Sequence, residues 1–263
     1  MPTPSSSGDA GAAGDGREAA EAGARRTRRP GATAALELGA AAAVLGYGVL
    51  VNRAIPHELY VPVNLAAAGA AVAAAHALGA GWRDLGLARD RVTAGLKLGG
   101  LTLIPIAVVV ALGLAIPWTR EFFRDTTILS ASTAEAVYTL LLRIPFGTAM
   151  AEELIFRGAL LGLFLQRHRP WVAVLMSSAV FGLWHVLPTL NSLGTNPGVS
   201  GTAGNTLLQA GAVAVTVVAT GVAGCIFSWL RLRSGSILAP WLTHTGFNSI
   251  GYLGSRLEGL FTK

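Results

Sequence analysis

Seven apolar segments occupy most of this chain, and most of them approach or exceed the length that a helix needs to cross a membrane. They cover about 34–54, 59–80, 95–117, 134–165, 171–188, 206–230 and 236–255. A spanning helix needs about 20 apolar residues, and an uninterrupted run such as 210–226 lacks the alternation that a barrel strand requires. We therefore predict an all-α fold, a polytopic transmembrane helical bundle of about seven spans, with six to eight as the range.

The composition agrees with a membrane protein. Hydrophobic residues make up 52% of the chain and charged residues only 13%, whereas soluble domains carry about 25% charged residues. The single cysteine, Cys225, excludes an internal disulfide and a CxxC metal or redox site. The net charge of +6 comes largely from Arg and Lys residues that flank the apolar spans, which is typical of cytoplasmic loops and does not indicate nucleic-acid binding.

The first 32 residues have a different character from the rest of the chain. They contain Gly, Ala, Ser, Pro and charged residues, with no large apolar residue after Met1. Such a segment cannot bury enough surface to fold, so we expect a disordered basic tail over 1–32 and a helical membrane domain over 33–258. Positive charge in the tail and in the loops 81–97 and 166–170 places the N-terminus in the cytoplasm. The Gly-, Ala- and Arg-rich composition indicates a bacterial plasma membrane protein.

Charged residues interrupt the fourth apolar segment, where Glu152, Glu153 and Arg157 have apolar sequence on both sides. A charge at the centre of a membrane helix costs about 2.5–3.5 kcal/mol on insertion scales, so such residues face a polar cavity. At i, i+4 spacing, Arg157 pairs with Glu153 on one helical face. Glu152 is rotated by about 100° from Glu153 and is left freer to act as a general base. The alternative, a structural ion pair, leaves the second acid unexplained.

Two later apolar segments each carry a histidine with a companion four residues away. Phe181 shares a helical face with His185, and His244 shares one with Asn248. A neutral imidazole donates one hydrogen bond and a primary amide donates two, so His244 and Asn248 suit the stabilisation of an oxyanion. The alternatives are a satisfied core histidine at 185 and a structural interhelical hydrogen bond at 244.

The three motifs Glu-Glu-x-x-x-Arg, Phe-x-x-x-His and His-x-x-x-Asn occur in this order on separate spans. Together they resemble the motifs of the CPBP family of intramembrane proteases, which includes the type II CAAX prenyl endopeptidases and bacteriocin-processing or immunity proteins. The resemblance covers about residues 134–255, the expected catalytic core. It implies a helical membrane bundle around a polar catalytic cavity, and cleavage of a peptide bond.

The resemblance assigns six residues to the catalytic site: Glu152, Glu153, Arg157, His185, His244 and Asn248. It implies that Glu152 and His185 activate the attacking water, that His244 and Asn248 stabilise the oxyanion, and that the remaining pair supports them. Two mechanisms stay open. Glu152, His185 and His244 can supply the three ligands of a catalytic zinc with an open fourth position. The same residues also suffice for a metal-free water activated by the glutamate.

Two further function classes compete with a membrane-embedded endopeptidase. A non-catalytic immunity or regulatory protein of the same fold would be free to lose Glu152 or His244, yet both are present. An ion or proton transporter also carries intramembrane acids and histidines, but typically shows repeated halves, which this sequence lacks. We expect a peptide or membrane-protein substrate in the lipid bilayer. In a bacterium a prenylated protein is not the expected substrate.

Overall fold

The computed structural model describes residues 30–193 and 205–261, with side chains over 34–193 and 205–259. The chain divides into two units, residues 1–40 and 41–263. In the first unit the described residues, 30–40, are helical, so the last residues of the predicted tail already belong to a helix. The rest of the predicted disordered tail, residues 1–29, lies outside the described residues.

The part of the chain that the structure describes is helical and contains no strand, which confirms the all-α prediction. The main helices are α1 Pro30–Arg53, α2 Tyr60–Ala77, α3 Val92–Ala115, α4 133–165, α5 Pro170–Trp184, α6 Val186–Ser192, α7 Thr206–Ser234 and α8 Leu238–Phe261. Shorter helical turns lie in the connections, at His57–Leu59, Arg89–Arg91, Pro117–Arg120, Glu121–Phe123 and Thr126–Ser130.

Among the described residues, five helical segments are long and apolar enough to cross a membrane: Ala34–Arg53, His57–Ala77, Arg89–Ala115, Pro170–Ser192 and Thr206–Ser234. The two remaining predicted spans correspond to α4 and α8. These two helices carry the polar residues of the first and third motifs, which lowers their mean hydropathy. The seven long helical segments agree with a membrane bundle of about seven spans.

Helix α4 is not a regular α-helix. It contains two π-helical stretches, Thr139–Met150 and Leu154–Leu160, on either side of a short α-helical turn, Ala151–Glu153. Pro145 lies inside the first stretch and has no N–H to donate to a preceding carbonyl. Trp241 of α8 donates its indole N–H to the Pro145 carbonyl at 2.7 Å. The two acids therefore lie on the one short α-helical turn between wider turns, a type of irregularity that often occurs at functional sites.

Close contact between α3 and α8 fixes the position of the last helix. A Cβ at Gly99 would lie 2.8 Å from the Ala239 carbonyl oxygen, so only glycine allows the two backbones to approach this closely. One turn further along, the Thr102 and Thr243 hydroxyls are 2.7 Å apart and share a hydrogen bond. This contact holds α8 in place immediately before His244.

Arg231, near the end of α7, fastens the connection between α2 and α3. Its Nη2 donates to the backbone carbonyls of Arg83 and Asp84, and the side chain is buried. Gly86 follows with φ +70° and has the backbone N–H of Ile237 close to it. The left-handed conformation at Gly86 is one that residues with a Cβ rarely adopt, so the local sequence permits this tight turn.

At the other end of α8, the connection after α3 is attached by two arginines. Arg124 donates through Nε to Glu258 at 2.8 Å, and this contact raises the pKa of the Arg124 guanidinium above its ordinary value. Arg256 donates through Nη1 to the carbonyls of Ile128, at 3.0 Å, and Ala131, at 2.8 Å. The helix with the third motif is thus tied down at both ends.

Residues 189–205 are rich in Gly, Asn, Ser, Thr and Pro, a composition that predicts a loop, but the start of this segment is helical. Helix α5 ends at Trp184, and after His185 a second helix, α6, continues through Ser192. The Thr189 hydroxyl donates to the His185 carbonyl at 2.7 Å, which supports this helical continuation. Residues 194–204 of the predicted loop lie outside the described residues.

Candidate active site

The first motif places three charged side chains inside the bundle. Glu153 and Arg157 are completely buried, and Glu152 is 7% exposed. Arg157 donates from Nη1 to Glu153 Oε1 at 3.1 Å, which confirms the predicted i, i+4 pair. Because neighbouring residues on a helix point about 100° apart, Glu152 faces a different set of neighbours from Glu153.

Aromatic rings surround the buried guanidinium of Arg157. Its Cζ lies 4.0 Å from the centroid of Phe181, 5.1 Å from that of Phe227 and 5.8 Å from that of Phe156. A guanidinium is attracted to the negative face of an aromatic ring, most strongly where water is excluded. One carboxylate and these rings together therefore accommodate a full positive charge in the interior.

His244 of α8 lies between the two acids. Its Nδ1 is 2.9 Å from Glu153 Oε1 and donates to it, since a carboxylate oxygen can only accept. Its Nε2 then points toward Glu152 and lies 3.9 Å from Oε2. The ring stacks on Phe227, with centroids 5.1 Å apart and an interplanar angle of 23°. Glu153 thus sets the orientation of the imidazole and leaves Nε2 for other chemistry.

The two oxygens of Glu152 differ in their surroundings. Oε1 accepts a hydrogen bond from the indole Nε1 of Trp184 at 3.3 Å. Oε2 is buried and accepts no hydrogen bond from any described residue. A buried carboxylate oxygen normally has a partner. Glu153 Oε2 also has none among the described residues, but Glu152 Oε2 is the unpartnered oxygen that lies beside His244 Nε2, so it is placed to accept a proton or a hydrogen bond from a bound molecule.

His185 lies beside this group and contacts it through Phe181. Its Nδ1 donates to the Phe181 carbonyl at 2.8 Å, and the two rings are 4.6 Å apart in an edge-to-face arrangement. The Phe181 ring in turn is 6.2 Å from that of His244. Within the described residues, His185 forms no hydrogen bond or ion pair with Glu152. With Nδ1 engaged by the backbone, Nε2 is the nitrogen left to contact a water or a substrate.

Asn248 lies one turn beyond His244 on α8 and is half-buried. Its amide makes no hydrogen bond to any described residue, so it keeps its donors for another molecule. The structure therefore brings Glu152, Glu153, Arg157 and His244 into direct contact. Asn248 lies on the next turn of α8, and His185 lies between α5 and α6. The roles of all six residues stay predictions.

A catalytic zinc was one of the two mechanisms that the sequence left open. Among the described side chains, no three His, Cys, Asp or Glu residues are grouped closely enough to hold a metal ion. The donor set of Glu152, His185 and His244 has suitable chemistry for zinc, but its present grouping does not fit one. The mechanism proposed below therefore routes no step through a metal.

Sequence reasoning missed several residues around the site. Trp184 was not assigned a role, although it is adjacent to His185 in the chain. Thr148 lies one turn before Glu152, and its hydroxyl is 3.3 Å from that of Tyr60 on α2. The Arg143 guanidinium lies over the same tyrosine ring, 4.9 Å from its centroid. The i, i+4 spacing puts Thr148 on the same helical face as Glu152, and this could have been read from the sequence. Nothing in the sequence indicates that α2 brings Tyr60 close to this face.

These observations define the class of protein: an all-helical, multi-pass membrane protein with a buried cluster of acid, histidine and arginine side chains. A family model described as type II CAAX prenyl endopeptidase Rce1-like matches residues 134–250. This match confirms the resemblance predicted from the three motifs, and the matched residues include all six candidate site residues. No curated protein matches the chain, and no solved structure matches it.

Proposed function

We propose that this chain is a membrane-embedded endopeptidase that hydrolyses a peptide bond with a water molecule activated by Glu152. One observation carries the proposal: Glu152 Oε2 is buried, accepts no hydrogen bond from the described residues, and lies 3.9 Å from His244 Nε2. A water that contacts both atoms lies to the side of the line between them. A carboxylate with a free oxygen beside an imidazole is suited to take a proton from such a water.

The reaction follows from these positions. As the water oxygen attacks the carbonyl carbon, one water proton moves to Glu152, and the carbonyl π-electrons move onto oxygen. The Asn248 amide donates to this oxyanion, and so does His244 Nε2 when the ring is protonated at both nitrogens. The tetrahedral intermediate then collapses, the C–N bond breaks, and the proton on Glu152 moves to the leaving nitrogen. The products are one new carboxyl and one new amino terminus, and Glu152 returns to its starting form.

Supporting roles fall to the other residues of the three motifs. Glu153 holds the His244 ring through Nδ1, in the way that the buried aspartate of a serine protease holds its histidine. Arg157 balances the charge of Glu153, which allows a second carboxylate, Glu152, to lie on the preceding residue. His185 contacts the attacking water through Nε2. Its Nδ1 is already committed to the backbone.

The substrate we propose is a peptide or a membrane protein that reaches the site within the bilayer. We further propose a bacterial plasma membrane setting with the N-terminus in the cytoplasm. The distribution of Arg and Lys in the loops supports this orientation. A test uses a reporter protein that fluoresces only in the cytoplasm, fused after Ala115 in one variant and after Ser234 in another. The two positions are expected on opposite sides of the membrane. Signals of equal strength from both fusions would contradict the topology.

The activity is tested by comparing cleavage products with and without the proposed base. The protein and its Glu152→Gln variant are reconstituted separately into proteoliposomes made from a bacterial membrane-protein extract, and new peptide termini are identified by mass spectrometry. We expect a set of termini that forms only with the unchanged protein. Identical termini in the two samples would overturn the endopeptidase proposal and favour a non-catalytic member of the fold. A quenched fluorescent peptide that spans the strongest Glu152-dependent site, called the reporter peptide below, then serves for kinetics.

A further inference from the structure

We propose that Trp184 is a positioning residue for Glu152, and that the first helix, α1, holds this tryptophan in place through Gly48. The inference rests on the proposed function, because it concerns the carboxylate assigned as the base. It extends the site to a helix outside residues 134–250, the region that matches the protease family. It also gives a role to a helix that carries none of the three motifs.

The first observation is the contact between Trp184 and Glu152. The indole Nε1 donates to Glu152 Oε1 at 3.3 Å, and Trp184 is only 8% exposed. An indole N–H can only donate, and it normally has a partner when it is buried. This hydrogen bond occupies one carboxylate oxygen and turns the other, Oε2, toward His244. The direction in which the base presents its free oxygen therefore depends on where the indole lies.

The second observation is that α1 is packed directly against the indole. A Cβ built on Gly48 would lie 2.7 Å from Cε3 and 2.9 Å from Cζ3 of Trp184. Real Cβ contacts are not this short, so the six-membered part of the indole occupies the space that any side chain at position 48 would need. Glycine at this position is what allows the backbone of α1 to support the ring.

Neighbouring rings restrict the indole further. Phe156 meets it edge-to-face with centroids 5.6 Å apart, and Tyr47 of α1 lies 6.0 Å from it. Tyr47 is itself held, because its hydroxyl donates to Asn64 Oδ1 of α2 at 2.5 Å. The indole is thus fixed by α1 on one side and by α4 on the other. It is placed well to transmit a small displacement of α1 to Glu152.

The chain offers a matched pair of substitutions on α1. Gly48→Ala introduces a methyl group into the space of the indole, whereas a Cβ at Gly46 meets no atom within 4 Å. Both changes raise helix propensity by the same amount. We expect Gly48→Ala to lower kcat for the reporter peptide by about 10- to 100-fold with KM unchanged, since a misplacement of about 1 Å is enough for such a loss. Gly46→Ala should leave both constants unchanged.

A second substitution tests whether the effect passes through the indole. Trp184→Phe removes the indole N–H and the outer, benzo part of the indole, which Gly48→Ala would displace. It should lower kcat to a similar extent with KM unchanged. In the Trp184→Phe background, Gly48→Ala should then cause no further loss of kcat. Two residues that act independently would instead multiply their effects. If Gly48→Ala does not fold, the loss of kcat in Trp184→Phe alone still decides the matter.

The outcomes separate this inference from the proposed function. If Glu152→Gln produces the same peptide termini in the proteoliposomes as the unchanged protein, the proposed function fails. If Glu152→Gln is inactive while Gly48→Ala and Trp184→Phe retain full kcat, the proposed function stands and the positioning role is refuted. Losses of kcat that multiply in the double variant would show a general packing role and also refute it. The same holds if each single variant loses melting temperature in proportion to its loss of kcat.

Discussion

Removing the negative charge of Glu153 should destabilise the protein far more than removing that of Glu152. Glu153→Gln leaves Arg157 without its carboxylate partner at a site with no solvent exposure. Arg157 Nε and Nη2 already have no hydrogen-bond partner among the described residues, so no other hydrogen bond to a carboxylate replaces the lost one. Breaking a buried ion pair from one side costs about 3–5 kcal/mol, which corresponds to a fall in melting temperature on the order of 10 °C.

Glu152→Gln is the matched comparison, since it makes the same change, from a carboxylate to an amide, at the adjacent residue. The amide oxygen of a glutamine can still accept from Trp184 Nε1, and no arginine is left without a partner, so the stability loss should stay below about 1 kcal/mol. Thermal melting in detergent measures both variants. The double change Glu153→Gln with Arg157→Met removes the orphaned charge and should recover most of the lost stability. Equal destabilisation by Glu152→Gln and Glu153→Gln would refute this division between the two acids.

Three further predictions test other parts of the site. Asn248→Ala should lower kcat for the reporter peptide by about 10²–10³-fold, as expected for the loss of one oxyanion donor, with an unchanged melting temperature; full activity would remove Asn248 from the mechanism. Arg231→Met should destabilise the protein by about 2–3 kcal/mol in thermal melting, because hydrogen bonds from a charged group to two backbone carbonyls are lost; an unchanged melting temperature would contradict this. Dialysis against a metal chelator should leave kcat unchanged, and activity that is lost and then restored by added zinc would establish the metal-dependent alternative.

Local periodicity was sufficient to predict the pairing within the first motif. Glu153 and Arg157 are four residues apart, so the helical repeat alone brings them together, and the structure places Nη1 and Oε1 at 3.1 Å. The all-helical fold was predictable for a similar reason, since uninterrupted apolar runs lack the alternation of barrel strands and a helix satisfies its backbone groups within one segment. Both inferences depend on physics that acts over a few residues.

Contacts between distant parts of the chain were not predictable in this way. The hydrogen bond from His244 to Glu153 joins residues 91 positions apart, and the sequence assigned His244 to the oxyanion without this second contact. Gly48 is one of 33 glycines, and nothing in its neighbourhood distinguishes it from Gly46. Only the placement of Trp184 against α1 separates the two. The π-helical turns of α4 likewise had no signal other than Pro145.

The difference between the two adjacent acids arises from their position on one helical turn. Being about 100° apart, Glu153 points to Arg157 and His244, whereas Glu152 points to Trp184. The charge of Glu153 is balanced, and this residue serves as an anchor for His244. Glu152 keeps an uncommitted oxygen, Oε2, beside His244 Nε2. Two acids on opposite faces of the helix would not both contact His244, and two acids on the same face would compete for Arg157. Adjacent positions therefore allow one imidazole to contact an anchoring acid through Nδ1 and to face a reactive acid through Nε2.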